Sequence, residues 1–524
     1  MNPESKWVGE KKMKILSIAL TAFAVLFLGV SKSSADTNGD LEKWMEQQRL
    51  DAIHGLEGNI RRPDTAKGVV VASPSKDNPN YFFHWIRDSA LVMEVIVNAY
   101  LGAKTEGQKT YQFQTLMDYA KFSRTNQKSS NPSKQYFNRG IGEPKFNIDG
   151  TPFTGPWARP QNDGPALRAS TLMRFARKLI SEGKTDLVRS TLYDGKSPES
   201  TDTVIKVDLE YVSHHWRETN FDLWEEIRGQ HFYTRMVQRK SMIEGAEFAR
   251  SLGDPSAGDW YEKQARELEK EIEKHWDNDK GIIQVTLDRD DGVNYKYSGL
   301  DSAVILAVLH SSLADGFFNA TDDRVLATAV AIRKRFSEIY DINHRGLPGT
   351  LIGRYPEDKY NGYHSDGEGN PWILATNAYA ELYYRVAFSL NNAKKVTITG
   401  RNREFYSALF TREENPIVSG KTFENGNPTF QQILERLRQE GDRFLARVRH
   451  HTGPDGRMAE QMDRRSGYQM GAADLTWSYA SFLSAIDRRN ALAGRADATI
   501  GMLCAREITV QNPPSIWKPY LLNR

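Results

Sequence analysis

Apolar residues recur at three-to-four spacing through most of this chain, and that period constrains the fold more than any other feature. Leu91, Val92, Val95, Ile96 and Ala99 repeat with few charges between them, as in a helix buried on most sides. Val325, Leu326, Ala329, Ile332, Phe336 and Ile339 instead form one stripe. Arg333, Lys334, Arg335 and Glu338 occupy its polar side, and Thr321-Asp322-Asp323 supplies a capping start. Phe430, Leu434, Leu437, Phe444 and Val448 make a second one-sided stripe. Further helical segments are expected near 41–60, 108–123, 164–182, 202–219, 231–252, 257–275, 300–312, 371–391 and 472–488. The whole is about a dozen helices, alternating between buried and amphipathic. Strand signals are sparse, GVVVAS at 68–73 being the clearest. No fixed-period repeat points to a solenoid, and no linker or low-complexity tract interrupts residues 40–500.

The N-terminus has a different character. Lys11, Lys12 and Lys14 precede an apolar run from Ile15 to Val30, and Ser33-Ser34-Ala35 follows with small residues. Basic, apolar and small, in that order, predict a secretory signal over residues 1–35, with export to a periplasm or the medium. The run is short for a membrane span, so no stable membrane association is expected once it is removed. The chain has 70 Lys and Arg against 67 Asp and Glu. The first 35 residues hold five of those lysines and two of the glutamates, leaving 65 of each sign. A balanced chain excludes nucleic acid as an expected partner. Cys504 is the only cysteine, so neither an internal disulfide nor a cysteine zinc cage is available. Asp288-Arg289-Asp290-Asp291-Gly292 fails the spacing of a calcium-binding EF-hand loop and reads as a solvated turn.

Long loops at 61–80, 124–163, 342–371 and 451–471 separate the helices, and loops of this length carry function more often than connection. They share one chemistry of flat aromatic faces, arginine forks and carboxylates. Examples are YFFHWIRDS at 81–89, GEPKF at 142–146, WARPQNDGP at 157–165, GRYPED at 353–358 and RMAEQ at 457–461. That combination suits a neutral polyhydroxylated ligand better than a phosphate or a metal. FDLWEEI at 221–227 adds two adjacent glutamates in apolar company. Adjacency prevents Glu225 and Glu226 from working as one pair, because neighbours point in different directions in either a helix or a strand.

Taken together, VVVASPSKDNPNYFFHWIRDS (69–89), GEPKFNIDGTPFTGPWARPQNDGPALRAS (142–170), DLWEEI (222–227), GRYPEDKY (353–360) and MAEQMDRRSGYQMGAADLTWSYA (458–480) resemble the glucoamylases of glycoside hydrolase family 15, most closely the fungal catalytic domain. The resemblance runs from about residue 40 to about residue 490. It implies an all-α fold, an (α/α)6 barrel with its active site in the loops at one end. The expected organisation is a single catalytic domain over 36–524 with no separate starch-binding module. The implied activity is exo-acting, inverting release of glucose from the non-reducing ends of α-1,4-glucans such as maltooligosaccharides. The alternatives are an α-1,6-glucosidase or trehalase of the same family, or a non-catalytic glucan-binding protein.

The resemblance assigns the general acid to Glu225 and the general base to Glu460. An inverting hydrolase needs one protonated carboxyl and one ionised carboxylate, about 6.5–9.5 Å apart so that water fits between. Arg87 and Asp88 are implied holders of the terminal glucose, and Arg354 and Glu226 of the next sugar. Tyr81, Trp85, Trp157, Trp224 and Trp372 match the aromatic lining, with Tyr81 also placed near the base's water. Leu223 matches a position whose main-chain carbonyl faces substrate, and Gln461 and Asp222 are supporting positions. No metal or organic cofactor is implied. Relative to the fungal pattern, residues 362–368 lengthen the segment beside the expected second sugar position.

Overall fold

The computed structural model describes residues 37–134, 139–197 and 200–495; the signal-like segment and Cys504 lie outside them. A division into two units falls between Gln47 and Gln48, inside helix α1 (Thr37–Glu57). Among the described residues, the unit from Gln48 onward holds eleven further helices of eight residues or more. They are α2 (Ile86–Leu101), α3 (Glu106–Lys128), α4 (Asp163–Ser181), α5 (Val204–His215), α6 (Phe232–Ser251) and α7 (Pro255–Glu273), followed by α8 (Ala303–His310), α9 (Asp323–Ile339), α10 (Ile373–Ala393), α11 (Pro428–His451) and α12 (Thr476–Leu492).

Helices α2, α4, α6, α8, α10 and α12 pack each against the next, and α12 returns to α2, closing an inner ring. Outside it, α3 packs on α2, α5 on α4, α7 on α6, α9 on α8 and α11 on α10. The architecture is an (α/α)6 barrel. The residue patterns explain which helix goes where. In α8 every residue from Ala303 to Leu309 is buried, so AVILAVLH can sit only inside. In α9 the buried positions are Val325, Leu326, Thr328, Ala329, Ile332 and Phe336, one face of an outer helix. None of the described helices is long and apolar enough to cross a membrane.

The inner and outer helices differ at most of their N-termini, α5, whose N-cap Thr203 makes no side-chain bond, being the outer exception. Thr105, Asp254, Asp322 and Asn427 cap the outer helices α3, α7, α9 and α11 through their side chains. The N-cap residues of the inner helices, Trp85, Asn162, His231, Ser302, Trp372 and Leu475, make no such bond. Aromatic and functional side chains occupy those positions instead, and the positive ends of the inner helix dipoles are left at the end that carries the long loops.

Two expectations are corrected. GVVVAS forms no sheet strand; Val70 makes one isolated bridge with Ile60, and its amide donates to His84 Nδ1 at 3.1 Å. Val69 and Val71 pack with Phe82 and Phe122, so a β-rich composition serves here as core filling under a loop. Conversely, the DRDDG segment is no free turn. Thr286–Gly292 is a strand antiparallel to Ile227–His231, and Asp290 pairs with Arg228 at 2.6 Å.

Candidate active site

The glutamate doublet sits at the tip of a hairpin between Asn220–Phe221 and Ile227–His231. Its shape comes from Asp222. The Asp222 amide donates to the Ile227 carbonyl at 2.9 Å, and the Glu225 amide donates to the Asp222 carbonyl at 2.9 Å. Asp222 Oδ1 then accepts from the amides of Glu226, at 2.8 Å, and Ile227, at 3.0 Å. The result is a left-handed Glu225 with φ of 66°, a conformation uncommon outside glycine and concentrated at functional sites. Burial alone would raise the Asp222 carboxyl, but Lys296, His231 and the two amides hold it below its ordinary value.

The tight tip sends the two glutamates to different partners. Glu225 Oε1 accepts from Trp85 Nε1 at 2.8 Å and Gln161 Nε2 at 3.0 Å, with Arg87 NH2 at 3.5 Å. Glu226 accepts from Arg354 NH2 at 2.7 Å and Tyr355 OH at 2.5 Å. Burial raises the Glu226 carboxyl above its ordinary value, with Arg354 opposing and Asp358 adding repulsion. Arg354 is itself buried and lies bidentate on Asp358, at 2.8 and 2.5 Å. Its guanidinium also lies 5.6 Å from the ring centre of Trp224 and 5.6 Å from that of Trp372. Leu223 and Trp224 are buried in the same tip, and Trp224 Nε1 donates to Asp301 Oδ1 at 2.9 Å.

Arg87 and Asp88 open α2. Arg87 NH1 reaches Gln161 Oε1 at 2.9 Å and Asp163 Oδ2 at 3.0 Å, while its Nε lies 3.5 Å from Asp88. Burial pushes the Asp88 carboxyl up to about 6 against the pull of Arg87, with Glu225 and Asp163 adding repulsion. Arg87 is therefore a hub between α2, the start of α4 and the Glu225 carboxyl.

Glu460 comes from the loop before α12 and is fully buried. Its Oε2 accepts from Tyr360 OH at 3.3 Å and Gln461 Nε2 at 3.4 Å; its Oε1 has no hydrogen-bond partner. Burial pushes this carboxyl up to about 7, against Tyr81, Arg354, the Ala472 amide and Tyr360. A Cβ at Gly471, where φ is 75°, would lie 2.4 Å from Glu460 Oε2, so glycine leaves room for the carboxylate. Among the described residues no hydrogen bond joins Glu225 to Glu460. A wall joins them: Trp85 donates to Glu225, the Tyr81 ring centre is 5.5 Å from that of Trp85, and Tyr81 OH is 3.0 Å from Tyr360 OH, which reaches Glu460.

Trp157 and Trp372 complete the lining, with ring centres 5.8 Å from Trp85 and 5.5 Å from Trp224 respectively. The indole N–H groups of both are buried without a partner, as is Glu460 Oε1. Buried polar groups without a protein partner are exceptions in a folded chain, and these three line one set of aromatic and carboxyl contacts. The donors are flat-faced and uncharged, which suits sugar hydroxyls. Among the described residues no group of His, Cys, Asp and Glu is arranged to hold a metal.

The site residues expected from the sequence are linked by a connected set of contacts, and several others join them. Tyr360, Gln161, Asp163, Tyr355, Asp358 and the buried Lys296–Asp301 pair hold the principal carboxylates or their neighbours. Tyr360, Gln161, Asp163, Tyr355 and Asp358 lie in or beside the loops that combine arginine, aromatic and acidic residues, which was the available signal, whereas nothing in the sequence marked Lys296 and Asp301; the partners of all of them come from other segments and cannot be read from spacing.

Aromatic faces, buried arginines and carboxyls clustered at the N-terminal end of the inner helices of an (α/α)6 barrel suit a carbohydrate-active hydrolase. Comparison with known proteins agrees. The model for Glycosyl hydrolases family 15 matches residues 53–487. The chain is 38% identical to Glucoamylase 1 of Rhizopus oryzae over 452 residues, covering 86% of this chain and 71% of that one. It is 37% identical to a glucoamylase of Blastobotrys adeninivorans over 472 residues, covering 88% and 74%. The solved glucoamylase of Saccharomycopsis fibuligera superposes with a TM-score of 0.78 at 31% identity, covering 88% of this chain and 99% of that one. The chain belongs to glycosyl hydrolase family 15.

Proposed function

We propose that this protein is an exo-acting, inverting hydrolase that releases glucose from the non-reducing ends of α-1,4-glucans, maltooligosaccharides and dextrins among them. The observation that carries the reading is the contrast between two carboxyls in one pocket. Glu225 is held by nitrogen donors at a strained tip, and Glu460 is buried with one oxygen unpartnered.

In this reading Glu225, as general acid, gives its proton to the glycosidic oxygen. Glu460, ionised, takes a proton from water through Oε1, and the water attacks the anomeric carbon from the opposite face. Tyr81 and Tyr360 fix the orientation of Glu460. Arg87 and Asp88 grip hydroxyls of the terminal sugar, which a continuing chain would not present, and this explains exo action. Arg354 and Glu226 serve the second sugar, Trp85, Trp157, Trp224 and Trp372 supply stacking faces, and the Leu223 carbonyl accepts from a substrate hydroxyl. Residues 36–524 act as one catalytic domain, and the basic-apolar-small order of residues 1–35 supports export.

A product time course on maltoheptaose tests the reading, because glucose as the sole small product from the first minutes is expected. Early maltotriose or longer fragments would refute exo action. Glu225→Gln and Glu460→Gln should each abolish turnover while leaving sugar binding intact.

A further inference from the structure

Lys145 occupies an unusual place behind the pocket. It lies on a two-residue strand directly opposite Trp85, and it is 2% exposed. Lysine is almost never buried this far without an anionic partner. Among the described residues its ammonium has neither a hydrogen bond nor an ion pair. It has four aromatic rings instead. The nitrogen lies 4.1 Å from the ring centre of Phe83, 4.4 Å from Trp85, 4.1 Å from Phe153 and 3.6 Å from Trp157.

The rings form a closed box. Phe83 stands at 89° to Trp85 and 74° to Phe153, Phe153 at 84° to Trp157, and Trp157 at 63° to Trp85. Centroid separations run from 5.2 to 6.1 Å around it. Aromatic rings meeting edge to face are only weakly held by one another, whereas a desolvated cation is attracted to the face of each. Two of the four walls, Trp85 and Trp157, belong to the pocket, and Trp85 carries the N–H that binds Glu225 Oε1.

We propose that Lys145 is a positioning residue: its boxed ammonium fixes the Trp85 and Trp157 rings at the angle that lines the sugar pocket and keeps the Trp85 N–H on Glu225. The consequence for sugars rests on the hydrolase reading above; the fixing of the rings does not. The charged groups facing Lys145 are Glu225, which favours the cation, and Arg159, which disfavours it and is itself paired with Glu143 at 2.9 Å. Burial outweighs both and pulls the ammonium down to about 8, so the box can be emptied of charge by mild alkali.

The test follows the tryptophan band in near-ultraviolet circular dichroism of the ligand-free enzyme, from a pH unit below that value to a unit above. The KM and kcat for maltotriose are measured over the same range. The wild type should show a ring transition with its midpoint near 8, and KM should rise roughly tenfold across it while kcat changes less. Lys145→Arg keeps a cation throughout and should lose the transition with a low, flat KM. Lys145→Met should lose it with a high, flat KM. A wild-type spectrum and KM that stay constant when the range is extended to the ordinary lysine value of 10.5 would overturn the proposal even if Lys145→Met failed to fold. So would a folded Lys145→Met with wild-type KM. A ring transition with unchanged KM would overturn the link between the box and the sugar pocket. Absence of turnover on every α-glucan in the wild type would strike the hydrolase reading alone.

Discussion

Asp222→Ala tests how the chain separates its two adjacent glutamates. The substitution removes an acceptor from the amides of Glu226 and Ile227, at 2.8 and 3.0 Å, and takes away a carboxylate 3.6 Å from buried Lys296. Hydrogen bonds to a charged group contribute roughly 1.5–3 kcal/mol each. Lys296 keeps Asp301 as its other partner, so the charge is not left unpaired. The two lost bonds alone therefore predict about 3–6 kcal/mol less stability in urea unfolding. A second effect falls on catalysis. Left-handed backbone costs a non-glycine residue roughly 1–2 kcal/mol, and the Asp222 side chain helps hold Glu225 there. Once the tip relaxes, the productive placement becomes the minor one, and kcat on maltotriose should fall about 5- to 30-fold. KM should rise as well, because Leu223, Trp224 and Glu226 share the tip, while Arg87, Trp157 and Trp372 keep their places. Asp222→Asn keeps an acceptor oxygen and should lose less on both counts. An Asp222→Ala enzyme that loses the expected stability but keeps kcat within about twofold would refute the link between this carboxylate and the placement of Glu225.

Glu460→Gln should be more stable than the wild type at alkaline pH. A carboxyl at about 7 in the folded protein, against an ordinary 4.5, opposes folding once the unfolded chain ionises. The difference should be absent below 4.5, grow between 4.5 and 7, and level off at about 3 kcal/mol; equal urea midpoints at pH above this window would contradict it. Tyr360→Phe removes a donor that favours ionised Glu460, so the acidic limb of kcat/KM should move to higher pH by less than about one unit. A shift to lower pH would reverse the assigned sign. Arg354→Lys cannot reproduce the fork on Asp358 together with the bond to Glu226, and KM on maltose should rise by roughly tenfold or more, measured by initial rates.

The helices were largely legible because each obeys a local rule. AVILAVLH admits no solvent-facing side, and the stripe from Val325 to Ile339 with Asp322 before it announces an outer helix and its cap. The pocket was legible as a set of residues but not as a geometry. Glu226 fits the pattern of a helix-starting carboxylate, yet it sits on a hairpin tip whose left-handed turn depends on a side chain four positions earlier. The Lys145 box draws rings from 83, 85, 153 and 157, on two loops brought together by the pairing of His84–Trp85 with Lys145–Phe146. GVVVAS misleads because propensity reports a fit to a pleated surface, and here the apolar side chains find a core without a sheet.

The central claim is that Glu225 and Glu460 act from opposite faces of one glycosidic bond with water on the side of Glu460. Proton NMR of maltotriose hydrolysis, recorded before mutarotation equilibrates the products, tests it most directly. The account predicts that β-glucose appears first, with the α anomer rising only afterwards; α-glucose as the initial product would contradict it.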